Sequence, residues 1–276
     1  MRRTCIGKTD ARFEVYCLHM VKTYAIAVRK DEQSHLLARQ LEQRLSAENY
    51  RPDEKQPDIV FVIGGDGTFL RAVHRYENML QKTIFYGLHT GTLGFYSDYA
   101  GDCFERWLRR FLDGYGEMRT FPVLFIQAGE KRLFGINEVR IENSLRTQEL
   151  GISLNGRFFE TFRGTGILVA SQLGSTAYNR SIGGAIVEEG LNVLQMTEIA
   201  GIHHVKYHSL GASLILKPST IIDLQAKDLS GAVIGADTEV LHLEKETDIQ
   251  IGYSENVVHV WHTEDVSYFD RLQCLF

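Results

Sequence analysis

With 276 residues, 44% of them hydrophobic and 24% charged, the chain has the composition of a globular protein long enough for two modest domains. Its 30 basic and 35 acidic side chains give a formal charge of −5, which argues against a general nucleic-acid binder. No stretch approaches the roughly 18–20 uninterrupted apolar residues of a membrane-spanning helix, and Cys5, Cys17, Cys103 and Cys274 lack CxxC spacing, as expected of reduced thiols in a cytoplasmic protein.

Residues 1–19 carry Arg2, Arg3 and Lys8, but Asp10 and Glu14 interrupt them and no apolar h-region follows. They read as an extension without an assigned role. Residues 24–29 (YAIAVR) read as a short strand. Asp31 or Ser34 then caps a helix on which Leu37, Leu41 and Leu45 share a face, and Asn49 and Pro52 end it. Residues 58–63 (DIVFVI) form a continuous apolar run, as a strand buried on both faces requires. Gly64, Gly65 and Gly67 break that run before Phe69, Leu70 and Val73 open a second helix. A strand at 84–88, a glycine-rich loop and a helix at 104–112 complete the rhythm of an open, Rossmann-like α/β domain.

After about Arg119 the pattern becomes short strand-like pieces with turn signals such as Asn155-Gly156: 123–128, 133–141, 151–154, 157–163, 167–170, 213–216, 220–224, 233–234, 240–243 and 248–253. One helix is expected near 175–188. The expectation is α/β plus all-β. Residues 20–118, joined by a C-terminal tail at about 256–276, form the α/β domain, and 119–255 form a mostly-β sandwich domain. The active site is expected in the cleft between them.

Gly64-Gly65-Asp66-Gly67-Thr68 carries the most chemistry. Glycine N–H groups between a strand and a helix start suit phosphate oxygens, and the helix start adds partial positive charge. An aspartate there would repel a phosphate. It suits a base that takes a proton from an attacking hydroxyl, or a group orienting Mg²⁺. The plain alternative is a tight turn with a solvated aspartate. Neither GxxxxGK[ST] nor GxGxxG occurs, which excludes P-loop kinases and ordinary dinucleotide-binding dehydrogenases. Residues 164–184 form a second cluster, in which Gly174-Ser175-Thr176-Ala177 precedes Tyr178, Asn179 and Ser181. Small and hydroxyl side chains leave room for a flat ring, with Tyr178 as a stacking face; a Ser/Thr-rich helix cap is the plain alternative.

In this order, 64–68, then His89-Thr90-Gly91-Thr92-Leu93-Gly94-Phe95, Asn137-Glu138, 174–184 and Thr197-Glu198-Ile199-Ala200, the chain resembles the NAD kinases, especially those of Gram-positive bacteria, over residues 22–276. The first motif is shared with diacylglycerol and sphingosine kinases and with phosphofructokinases; the later ones are more specific. The resemblance implies ATP-dependent phosphorylation of the 2′-hydroxyl of the adenosine ribose of NAD, giving NADP. Asp66 would be the base, with Gly65, Gly67 and Thr68 along the phosphate path and Phe95 near the nucleotide. Asn137 and Glu138 would hold the ribose and adenine edge, and Thr176, Ala177 and Tyr178 would line the adenine pocket with Ser181 close by. Ala200 and Ile202 match positions shaping the nicotinamide side across a subunit boundary, and Asp237 matches a late aspartate of the family. It further implies Mg²⁺ or another divalent cation with ATP, polyphosphate as a donor in some members, and a homo-oligomer, a dimer or tetramer.

Two places depart from the family pattern. Gly164-Thr165-Gly166 stands for G-D-G, which removes a carboxylate. Ala170-Ser171-Gln172-Leu173-Gly174 stands for S-T-P-[TS]-G, so Leu173 replaces a hydroxyl and Gln172 a proline. One lost hydrogen bond to a buried polar ligand group costs about 1–3 kcal/mol, so weaker NAD binding with retained chemistry is expected. His203, His204 and His208 cluster, and His259 and His262 lie on a strand; neither group suggests a metal site. Arg106, Arg109 and Arg110 read as a solvated helix face beside core Trp107 and Leu108. The alternatives are a diacylglycerol-type lipid kinase, for which no membrane-docking stretch stands out, and a non-catalytic or weakly active NAD(P)-binding protein.

Overall fold

The structure is a computed structural model that describes residues 22–91, 94–202, 209–263, 267–273 and 275. Residues 1–19, Thr92, Leu93, His203, His204, His208, Cys5, Cys17 and Cys274 lie outside them. The chain divides into two compact units: one runs to Phe121 and resumes at Val258, and the other spans Pro122–Val257.

In the first unit, β1 (Thr23–Val28), β2 (Arg51–Pro52), β3 (Ile59–Ile63), β4 (Ile84–His89) and β5 (Ser97–Ala100) pair in parallel, in the order β2-β1-β3-β4 with β5 also on β4. Three helices cover this sheet: α1 (Glu32–Ala47), α2 (Asp66–Arg75) and α3 (Phe104–Leu112). Ile59, Phe61 and Ile63 pack with Leu37, Leu41 and Leu45 of α1 and with Trp107, Leu108 and Phe111 of α3. On the other face, Phe85 of β4 meets Phe69 of α2 with ring centroids 5.8 Å apart. Both faces being covered is why β3 is apolar at every position. Asp31 is the cap of α1: its carboxylate accepts from the Ser34 N–H at 2.9 Å and from the Ser34 hydroxyl at 2.7 Å. Asn49, at φ 64°, turns the chain out of that helix.

The second unit is a β-sandwich. β6 (Glu117–Ala128) crosses into it and pairs antiparallel with β7 (Lys131–Gly135). Next come β8 (Glu138–Glu142), β9 (Gln148–Leu154), β10 (Arg157–Gly164), β11 (Gly166–Ala170), the one-turn helix α4 (Tyr178–Ser181), β12 (Leu194–Ile199) and β13 (Leu214–Leu216). β14 (Ile222–Gln225), β15 (Val233–Ala236), β16 (Glu239–His242) and β17 (Asp248–His262) complete it. One antiparallel sheet has the order β10-β9-β14-β17 and the other β13-β12-β11-β8-β15-β16. Leu150, Ile152, Ile222, Leu224, Ile249 and Ile251 from the first meet Val139, Ile141, Ile167, Val169, Met196 and Ile234 from the second. Period-two alternation then points Leu168 and Ala170 of β11 outward, where Tyr178 and Ile182 cover them. β17 passes back into the first unit, where His259 and Val260 pair in parallel with Ile84 and Phe85, and α5 (Tyr268–Gln273) follows.

Two sequence expectations are corrected, and strand β12 was not expected. The helix near 175–188 is a 3₁₀ turn at Leu173–Thr176 followed only by α4, because Gly183 turns at φ +86° and side chains then hold the chain extended. Ser175 Oγ accepts from the Val187 N–H at 3.0 Å, and Gln195 bonds both the N–H and the carbonyl of Ala185. The single strand expected over 133–141 is broken at Ile136-Asn137, where the Asp237 carboxylate captures the backbone N–H groups of 136–138. β12 was legible only as a motif, since Gln195, Thr197 and Glu198 dilute its apolar pattern.

Candidate functional site

The Gly64–Thr68 loop of the sequence leaves β3 and becomes the first turn of α2, with Gly65 as N-cap and Asp66 as the first helical residue. Gly64 is needed for close packing, because a Cβ there would lie 2.6 Å from the Thr68 hydroxyl. Thr68 is buried and accepts from the Arg71 guanidinium at 3.1 Å. Gly67 is exposed at the loop's surface. Asp66 Oδ1 accepts from the backbone N–H of Phe95 at 2.9 Å and, more weakly, of Tyr96 at 3.5 Å. The half-buried Phe95 is therefore placed beside Asp66 through its backbone, while Tyr96 stacks on Phe69 at 4.6 Å. Burial pushes the Asp66 carboxyl above the ordinary aspartate value, and the two N–H groups, His89 and Arg271 partly offset it. A carboxyl shifted upward is a better proton acceptor than an ordinary one.

In the second unit a separate constellation forms where β8 begins. Asp237, at φ 47°, accepts from Ile136, Asn137 and Glu138 N–H at 2.9, 2.9 and 3.2 Å. This carboxylate thus holds the Asn137-Glu138 turn. Gly174 lies against the same turn so closely that a Cβ would sit 1.9 Å from the Asn137 carbonyl. Ser171 ties the other side, its N–H donating to Asn137 O at 2.9 Å and its hydroxyl to Ile136 O at 2.5 Å. Asn137 and Glu138 are both buried, Thr176, Ala177 and Tyr178 are half-buried beside them, and Ser181 at the end of α4 is exposed. Glu138 accepts from the Tyr178 backbone N–H, yet its Oε2 has no hydrogen-bond partner. Burial first, and then the Asp237 carboxylate, push its pKa up to about 8. A buried carboxyl kept neutral, with an unsatisfied oxygen, is suited to a polar ligand group.

Thr165 sits between two glycines in a tight crossing. Its N–H donates to Ile199 O at 3.0 Å, and a Cβ on Gly166 would meet Ile141 O at 2.0 Å. Ala200, exposed at φ 48°, and Ile202, 44% exposed, follow β12; the Ile202 N–H reaches Arg163 O at 2.7 Å. Gln172 does not idle in its proline-like position, since its Oε1 accepts from the Gly190 N–H at 2.9 Å. Leu173 is half-buried.

A family model for the ATP-NAD kinase N-terminal domain matches residues 13–116, and one for the C-terminal domain matches residues 136–262. The chain belongs to the NAD kinase family. A NAD kinase of Streptococcus pneumoniae (strain Hungary19A-6) is 36% identical over 257 residues, 91% of this chain and 94% of its own. Among solved structures, an NAD kinase from Archaeoglobus fulgidus in complex with ATP superposes with a TM-score of 0.75 at 20% identity, covering 91% of this chain and 99% of that one. Yeast NADH kinase complexed with NADH gives 0.76 at 18%, covering 92% and 86%. These two likenesses confirm the fold, an α/β unit followed by a β-sandwich. Membership makes the chain a NAD kinase-type phosphotransferase and sets the lipid-kinase alternative aside.

Several residues of these clusters escaped the sequence reading. Arg140 reaches the Asp237 carbonyl at 3.3 Å and lies over the Tyr178 ring at 6.0 Å. Asn179, which the sequence did single out, is fully buried and accepts from the Thr197 hydroxyl at 2.8 Å. Arg271 and Asp98, discussed below, belong to no local motif. His262 is a structural histidine, buried against Asp98 with its Nδ1 2.9 Å from Oδ1. Among the described residues no cluster of three His, Cys, Asp or Glu side chains could hold a metal, and no helix is long and apolar enough to cross a membrane.

Proposed function

We propose that Asp66 is the general base of this NAD kinase, taking the proton of the adenosine-ribose 2′-hydroxyl as that oxygen attacks the γ-phosphorus of ATP, the bond to the β–γ bridging oxygen breaks and ADP leaves. The carrying observation is the carboxylate itself, fixed at the first turn of α2 by two backbone N–H groups and raised in pKa by burial. Both bonds fall on Oδ1, which leaves Oδ2 to receive the proton. Transfer is in line and without a phosphoenzyme, so positioning and charge neutralisation carry the acceleration. The backbone N–H groups of Gly65 and Gly67, at the start of α2, together with Thr68, suit the path of the transferred phosphoryl group.

Asn137 and Glu138 hold the adenosine ribose and the adenine edge, and Thr176, Ala177 and Tyr178 line the adenine pocket with Ser181 nearby. The neutral, half-satisfied Glu138 supports this, because a carboxylic acid can both donate to and accept from a ribose hydroxyl. Asp237 acts behind them by fixing their backbone. Thr165 and Leu173 border the nucleotide, and Ala200 and Ile202 shape the nicotinamide side from a neighbouring subunit of a homodimer or homotetramer; their exposure supports that role. A divalent cation such as Mg²⁺ would come with ATP, bound through oxygen ligands of its phosphates. When bound, it neutralises charge on the transferring group. A cytoplasmic location fits the four scattered cysteines, which lack the spacing of a disulfide framework.

The test is NADP formation by the purified chain from NAD, ATP and Mg²⁺, followed through an NADP-specific dehydrogenase, with polyphosphate as an alternative donor. NADP should appear with at least ATP. Tight NAD binding with no product from any donor would instead establish the non-catalytic reading.

A further inference from the structure

The backbone that holds Asp66 is itself held from the far end of the chain. Arg271, buried on α5, donates through one guanidinium nitrogen to the Phe95 carbonyl at 2.5 Å and through another to Asp98 Oδ1 at 2.7 Å. Phe95 C=O and Tyr96 N–H belong to one planar peptide, and in a trans peptide they point in opposite directions. Gripping the carbonyl from the Arg271 side therefore turns that N–H toward Asp66 Oδ1, beside the stronger bond from Phe95 N–H. The grip is anchored in turn. Asp98 Oδ2 accepts from the Thr263 N–H at 2.8 Å, and His262 Nδ1 lies 2.9 Å from Oδ1. The Thr263 hydroxyl is 2.9 Å from Tyr86 Oη, which donates to the Trp107 carbonyl at 3.0 Å in the core. The planar guanidinium of Arg271 presents one nitrogen to the Phe95 carbonyl and another to the Asp98 carboxylate, a spread that the single point of a lysine ammonium does not reproduce.

We infer that Arg271 is a positioning residue for phosphoryl transfer, holding the 94–96 backbone so that Asp66 stays aimed at the substrate hydroxyl. This rests on Asp66 being the base. Arg271 also faces Asp66 as a charge, as does His89 from the end of β4; β1 and β3 carry no ionisable side chain except Tyr24, and Asp98 of β5 faces Arg271 itself. On α2, Arg71 bonds Thr68. Removing Arg271 thus withdraws a positive charge that favours the ionised base.

The experiment compares Arg271→Met, Arg271→Lys and Asp66→Asn in the full chain, with kcat, KM for NAD and ATP, and the pH–rate profile of each. Arg271→Met should lose about ten- to a hundred-fold in kcat, in line with small misplacements of a catalytic group. Both KM values should hold, and the acid limb should move to higher pH. Arg271→Lys keeps the charge but not the fork, so its limb should stay in place while kcat recovers only in part. Wild-type kcat and limb in a folded Met variant would overturn the inference, as would equal losses in both variants with an unmoved limb. Should the Met variant fail to fold, full kcat in the Lys variant overturns it equally. An active Asp66→Asn would mean that the base assignment fails; an inactive one beside a normal Arg271→Met would mean that only the inference does.

Discussion

Asp66 and Glu138 are both acids held away from water, and burial raises the pKa of each, while their neighbours differ. Asp66 receives two backbone N–H groups and faces the Arg271 charge, which partly restore its ionised form. The acid limb of kcat should accordingly lie above the ordinary aspartate value of 3.8, a shift that a pH–rate profile reads directly. Glu138 instead faces Asp237, and its folded pKa of about 8 exceeds the 4.5 of an unperturbed glutamate. The folded chain binds that proton more tightly than the unfolded chain. Its stabilising contribution is therefore complete below about pH 4.5 and is lost as pH rises toward about 8. Glu138→Gln should flatten the fall of Tm across this window, and parallel Tm profiles for the two proteins would contradict the assignment. At this scale the GGDGT loop stood out in the sequence as glycines and an aspartate breaking an apolar strand, whereas Asn137-Glu138 came only with the resemblance to the NAD kinases. Arg271, Asp98 and Arg140 were not legible, since a lone charged side chain looks the same in sequence whether it is solvated or buried against a remote partner.

The elements explain why small residues crowd the second cluster. Gly174 touches the Asn137 carbonyl, and the stretch after α4 is stitched down by Ser175, Asn179 and Gln195 rather than by helical bonds. Gly174→Ala should displace the Asn137-Glu138 turn, lowering Tm and weakening NAD binding by at least about ten-fold, or about 1.4 kcal/mol, as titration calorimetry would read. Unchanged binding would separate Gly174 from the site. Side-chain capture of backbone is also why this stretch misleads sequence reasoning. Tyr178, Asn179 and Ser181 have helical spacing, but one turn is all that forms before Gly183 reverses the chain. The strands of the α/β half were easier to read, because runs such as 58–63 are apolar on both faces and admit few other structures.

For the molecule as a whole, the first unit is closed by a segment far away in sequence. Val258, Val260 and Trp261 are buried in it, and β4 takes β17 as its parallel neighbour. A fragment ending at Phe121 should therefore melt without a cooperative transition, and adding a peptide of residues 258–276 should restore one in circular dichroism. A sharp melt by the fragment alone would show that the returning segment is dispensable. That return was legible only as a tail, because parallel pairing between remote strands leaves no local pattern. The most direct test of the central claim is kcat and the NAD dissociation constant of Asp66→Asn beside the wild type. A general base at Asp66 predicts a loss of about a hundred-fold or more in kcat with NAD affinity nearly unchanged. A kcat close to that of the wild type would contradict it.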